Sequence, residues 1–172
     1  SAMEEDSDHM IPAEFYSEYE ERPFKACYRC GETLKDFEDG YQVGKVYRRG
    51  ETIFEYALCH PCHVRMMDEV SSESRERLEA FQAEHLQLNL GRQFCAVCGI
   101  SRADIPDQEY SLAGIFEGVA LIHSLTICGS CTEHMNSLLS QKTRDVWRDF
   151  INENFPGVPA DALPDPNKIL VM

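Results

Sequence analysis

CHPCH, residues 59–63, opens in two directions. Two cysteines followed directly by a histidine match the C-x-x-C-H of covalent haem attachment, yet C-x-x-C is also half of a four-sulfur metal site. The rest of the chain decides between them. All eight cysteines fall in such pairs, Cys27/Cys30, Cys59/Cys62, Cys95/Cys98 and Cys128/Cys131, and none is left over. The first two pairs are separated by 28 residues and the last two by 29, so the chain reads as two successive four-ligand patterns.

The repetition extends beyond sulfur. A shift of 69 residues lays Cys59, Cys62, Met66, Ser71, Arg75, Phe81 and Glu84 on Cys128, Cys131, Met135, Ser140, Arg144, Phe150 and Glu153. A shift of 68 lays Cys27, Cys30, Gly31 and Asp36 on Cys95, Cys98, Gly99 and Asp104. One inserted residue reconciles the two shifts, and the chain reads as an internal duplication. Its units are expected at 22–91 and 92–157, after an acidic, partly disordered leader at 1–21 and before a proline-rich extended tail at 158–172.

The duplication argues against haem, because Thr132 stands where the second unit would need the counterpart of His63. His60 and His63 then read as residues flanking the ligands. Four disulfides are the alternative for a short secreted chain lacking a core, which 172 residues with 43% apolar content do not resemble. A thioredoxin-like redox motif needs a single C-x-x-C in a βαβ setting, whereas these pairs come in matched sets. Zinc in two closed four-sulfur sites is the expectation. Iron in the same cage is the open alternative, since donor softness and geometry barely separate the two metals.

Gly31 and Gly99 follow their pairs directly, as a tight loop at positive φ requires. Residues 41–48 and 52–58, joined at Arg49-Gly50, read as a β-hairpin, and 109–116 and 119–127, joined at Glu117-Gly118, repeat it. After each second pair the apolar period changes to that of a helix. Longer helices follow, with Ser71 or Ser72 and Ser140 as N-caps. Leu78, Phe81, His85 and Leu86 share one helical face, and Val146, Phe150 and Ile151 another, continued by Phe155. Trp147, matching Leu78, reads as core.

A C-x-x-C-G knuckle, a hairpin and a C-x-x-C that opens a helix together resemble the treble-clef group of zinc fingers. The resemblance implies an α+β fold of two tandem zinc-stabilised units. It also implies one ion held by Cys27, Cys30, Cys59 and Cys62, and a second held by Cys95, Cys98, Cys128 and Cys131.

Thirty acidic residues against sixteen Lys and Arg give a net charge of −14. Eight thiolates and two divalent ions would add −8 and +4, taking it to about −18. Such a surface repels phosphate backbones and favours a protein partner with a basic face. The functional expectation is a non-enzymatic, cytoplasmic protein-interaction or adaptor module, with no membrane association. A nucleic-acid-associated regulator using Lys45, Arg48, Arg49, Arg65, Arg75 and Arg77 is the alternative, and an iron redox protein a further one. An acidic inhibitor seated in a basic cleft fits the same charge evidence as the adaptor. No Ser-His-Asp order, phosphate loop or open metal triad supports an enzyme.

Overall fold

The computed structural model describes residues 10–154, without the side chains of Trp147, Ile151 and Asn154. The expectations for residues 1–9, for the Trp147 and Ile151 side chains, for Phe155 and for the tail at 158–172 lie outside the described residues. The fold is mixed helix and sheet, with the two cysteine quartets in separate halves of the chain.

Both hairpins form where alternating aromatic and β-branched residues call for strands. β3 (Tyr41–Arg48) pairs with β4 (Glu51–Cys59), and β5 (Tyr110–Glu117) with β6 (Ala120–Cys128). The turns differ in chemistry. Arg49 and Gly50 both take positive φ, 55° and 80°, whereas the second turn begins with Gly118 at 61°, one residue later than the pattern indicated. Both are two-residue turns of the primed kind that suit the twist of a hairpin.

The hairpins do not stand apart. β3 pairs with β5, giving one antiparallel sheet in the order β4-β3-β5-β6. The cross-strand partners are Tyr41 with Phe116, Gly44 with Ala113 and Tyr47 with Tyr110. Because the 69-residue shift carries Tyr41 onto Tyr110, Gly44 onto Ala113 and Tyr47 onto Phe116, an approximate two-fold axis passes through the Gly44–Ala113 pair. The aromatic stacks obey it: Tyr41 lies 5.3 Å from Phe116 and Tyr47 4.9 Å from Tyr110. So do the irregularities in pairing, at Val46/Tyr47 in one hairpin and Ile115/Phe116 in the other.

Four helices continue the hairpins: α1 (His60–Glu69), α2 (Ser72–His85), α3 (Gly129–Ser137) and α4 (Gln141–Asn154). They cross between units. Phe150 of α4 packs edge-on against Tyr56 of β4, with ring centroids 5.8 Å apart, and Leu78 of α2 faces Leu125 of β6 across a cleft. Each unit's long helix thus lies over the other unit's outer strand, and the helices join the sheet in one continuous core.

Alternation along the strands sends Tyr41, Val43, Lys45, Leu112, Gly114 and Phe116 to the opposite face. There the leader packs. A 3₁₀ turn at Ala13–Phe15 precedes a small ribbon of β1 (Tyr16–Ser17) and β2 (Arg22–Pro23). Phe15 is buried edge-on to Phe116 at 5.2 Å, directly over Gly114, where a side chain would collide with its ring. From residue 10 onward the segment expected to be a partly disordered leader is therefore ordered by Ile11 and Phe15, two large apolar side chains that it buries. Its charges are used as well: Glu14 meets Arg92 at 2.9 Å and Arg102 at 2.5 Å, both in the second unit.

Candidate metal centres

Each quartet is assembled from three local pieces whose geometry repeats. The first piece is a tight turn in which the N–H of Gly31 donates to the carbonyl of Cys27 and that of Gly99 to the carbonyl of Cys95, both at 2.9 Å. Gly31 and Gly99 sit at φ of 77° and 79°, a region that side chains disfavour, which explains the C-x-x-C-G pattern. The second piece is the end of the hairpin, where β4 and β6 deliver Cys59 and Cys128. These two residues are the N-caps of α1 and α3, with nearly equal dihedrals of −67°/156° and −66°/158°. The third piece is the first helical turn, which turns Cys62 and Cys131 back toward the knuckle; Pro61 suits that first turn because no backbone donor is needed there.

The result is two groups, Cys27/Cys30/Cys59/Cys62 and Cys95/Cys98/Cys128/Cys131, within each of which all sulfurs lie no more than 4.8 Å apart. The division follows the halves of the duplication, with no exchange between them. Cys30 Sγ is 3.8 Å from Cys59 Sγ, and Cys98 Sγ is 3.8 Å from Cys128 Sγ. All eight cysteines are free, and these separations are far beyond the roughly 2.05 Å of a disulfide. A tetrahedron with metal–sulfur bonds of about 2.3 Å has edges of about 3.8 Å, so the donor set fits a four-coordinate thiophilic ion. Cys27, Cys59, Cys62, Cys95 and Cys128 are buried, Cys131 is half-buried, and Cys30 and Cys98 lie at the exposed rim.

The electrostatics favour a thiolate at the first position of each quartet. Burial pushes Cys27 up, but N–H donors from Cys30, Cys59 and Arg29 outweigh it and bring the thiol down to about 7. Cys95 is pulled well below the ordinary range by hydrogen bonds from the Cys128 and Cys131 thiols, against the opposing effect of burial. The N–H of Arg29 donates to Cys27 Sγ at 3.4 Å, and that of Cys128 to Cys95 Sγ at 3.3 Å. Cys59, Cys62, Cys128 and Cys131 hold their protons more tightly. Burial raises Cys62, and Cys128 is pushed up to about 11, where a hydrogen bond from Cys131 is outweighed by Cys95 and burial. Filling either quartet with a divalent ion displaces those protons.

The histidines stay outside the sulfur groups among the described residues. His60 is exposed, and His63 and His123 line the cleft between α2 and β6. His85 and His134 flank Phe81, with ring centroids at 4.7 and 5.4 Å. The candidate basic surface is reduced, because Lys45 is buried 3.9 Å from Glu55 and Arg75 donates to the Met67 carbonyl at 2.7 Å. The sequence reading missed the Lys45–Glu55 pair and the Glu14–Arg92–Arg102 cluster, since charges distant in sequence carry no periodic signal. No described helix is long and apolar enough to cross a membrane. Set against protein-family models, curated proteins and solved structures, the chain matches none of them.

Proposed function

We propose that both quartets hold zinc as a structural ion, in treble-clef-like units, and that the protein is a non-enzymatic acidic interaction module. The observation carrying this reading is the sulfur geometry: four sulfurs at tetrahedral spacing supply every ligand, leaving no open position for a reacting water. The structural role fits where the sulfurs sit: each quartet ties a knuckle to the end of a hairpin and the start of a helix, and a structural zinc contributes about 10–16 kcal/mol apparent. The net charge of −14 supports a partner with a basic face, and the burial of Lys45 weakens the nucleic-acid alternative.

Mass spectrometry of the native full-length chain tests the metal, with two zinc ions per chain expected. Strong visible absorption would assign the cages to iron instead. Circular dichroism after verified metal removal tests the structural role, and an unchanged spectrum would end it. For the interaction, a partner retained from extract should be basic and should elute as salt rises; retention unaffected by salt, or nucleic acid in the eluate, would count against the acidic-adaptor reading.

A further inference from the structure

The duplication supplies an internal control for the cleft between α2 and β6. On one side of the two-fold axis Tyr56 occupies the space against Gly44 between helix and sheet. Tyr56 is buried there, 5.8 Å from Phe150 and 5.7 Å from Phe54, and Gln42 hydrogen-bonds its hydroxyl. Its ring lies directly over Gly44, 2.5 Å from where a Cβ would stand.

On the other side the residues equivalent to Tyr56, Gly44 and Phe54 are Leu125, Ala113 and His123. The phenol ring is missing, and a cavity of about 290 Å³ takes its place. Met67, Leu78, Ala113, Leu125 and Ile115 supply its apolar surface, and Ile115 is 44% exposed at the mouth. Gln42, which serves the hydroxyl of Tyr56, lines this cavity as well, and His123 stands at its rim.

We propose that the cleft is a binding site for a small planar aromatic molecule of one or two fused rings, bearing one hydrogen-bonding substituent. Three observations set that class. The residue standing at the place of Leu125 in the other half is a hydroxylated ring. An apolar cavity of about 150 Å³ is enough to hold benzene, so this one has room for roughly two rings. A concave, mostly apolar surface edged by a few polar groups, here including Gln42, Arg75 and Glu79, is the usual form of a small-molecule site. The proposal is independent of the adaptor reading, which stands or falls on metal removal and partner charge.

Indole is the probe, titrated into the metal-loaded full chain while side-chain methyl resonances are followed by NMR. Saturable shifts are expected at Leu78, Ile115 and Leu125. The double variant Ala113→Gly/Leu125→Tyr rebuilds the filled half and should weaken indole binding at least tenfold with metal content unchanged. Because that variant alters the core, His123→Phe at the exposed rim provides a second plug and should also weaken binding. Shifts that never saturate, or an affinity that survives both variants, overturn the site. N-acetyl-tryptophanamide, which carries the same ring on a peptide backbone, separates the remaining possibility. Tighter binding of that probe than of indole would assign the cleft to a partner protein's side chain and overturn the small-molecule class.

Discussion

Ser71 and Ser140, equivalent residues 69 positions apart, place their hydroxyl oxygens 3.0 Å from each other on the two-fold axis. Each caps its own helix: Ser71 Oγ accepts from the N–H of Ser74 at 3.1 Å, and Ser140 Oγ from that of Thr143 at 3.3 Å. Each also has its own N–H taken by the other helix, that of Ser71 by Thr143 Oγ1 at 3.1 Å and that of Ser140 by Ser74 Oγ at 2.7 Å. Two helix N-termini that would otherwise repel satisfy one another's orphan donors.

This reciprocal cap predicts coupling. Ser71→Ala and Ser140→Ala should each cost about 1 kcal/mol in urea unfolding. A double-mutant cycle should show an interaction of about 0.5 kcal/mol or more, as expected for residues in one network. Strict additivity would mean that the two caps work separately.

Loss of one metal site should be felt in both halves. The shared sheet makes Cys128→Ser expose β3 as well as β5, so amide exchange at Val43 and Val46 should accelerate along with that of the second hairpin. A first hairpin that kept its protection would show that the halves unfold independently.

The buried charge pair should be asymmetric. Burial draws Lys45 below the usual ammonium range, while Glu55, Glu18 and Glu14 oppose the shift. Glu55 also accepts from Ser17 Oγ at 2.8 Å and from the N–H of Glu18 at 2.9 Å. Glu55→Gln therefore strands a buried cation and should cost about 3 kcal/mol. Lys45→Met leaves Glu55 its other donors and should cost less. A depressed ammonium also makes Lys45's contribution to stability rise with pH, through its folded value up to its ordinary one near 10.5. Thermal melts of both variants at neutral and alkaline pH check the order and the sign.

Glu14 should act in the opposite pH range. Burial alone would raise its carboxyl, but Arg102 and Arg92 outweigh that and hold it below its ordinary value of 4.5. Its contribution is complete above that value and is lost as pH falls through the folded pKa. Glu14→Gln should flatten the acid limb of a stability–pH curve by an amount on the order of 1 kcal/mol, discounted because the side chain is partly exposed. An unchanged acid limb would remove Glu14 from the account.

Packing at the axis gives a further test. Gly44→Ala sets a methyl against the Tyr56 ring and should cost about 1–3 kcal/mol by overpacking. Adding Tyr56→Leu recreates the Ala113/Leu125 arrangement of the other half and should recover part of that loss. If the double variant is no more stable than Gly44→Ala, the ring is not what excludes the methyl.

The cysteine spacing, the glycines behind the knuckles, both hairpins and the caps at Ser71 and Ser140 were legible because each depends on neighbours within a few residues. The pairing of β3 with β5 was not. An inner strand and an outer strand share the same alternation, so Tyr41 carries no mark that it meets Phe116 from the other unit. Nor could period alone place Leu78 over β6, because an apolar helix face states that it is buried and not against what. The anchoring of the leader at residues 11–15 was not legible for a related reason: Glu14 and Glu18 dominate its composition, while Phe15 and Ile11, which anchor it, are too few to set a period.

The meeting of β3 and β5 bears on what half of this molecule would be. A single hairpin with its knuckle and helices, cut loose, would offer the backbone of its inner strand to any matching edge and leave its long helix with no sheet beneath it. The companion that repairs both defects is a second copy turned by half a revolution, joined through the same Gly44-type position. The chain thus has the construction of a homodimer written into one polypeptide, with Tyr56 in one half and Leu125 at the matching place in the other.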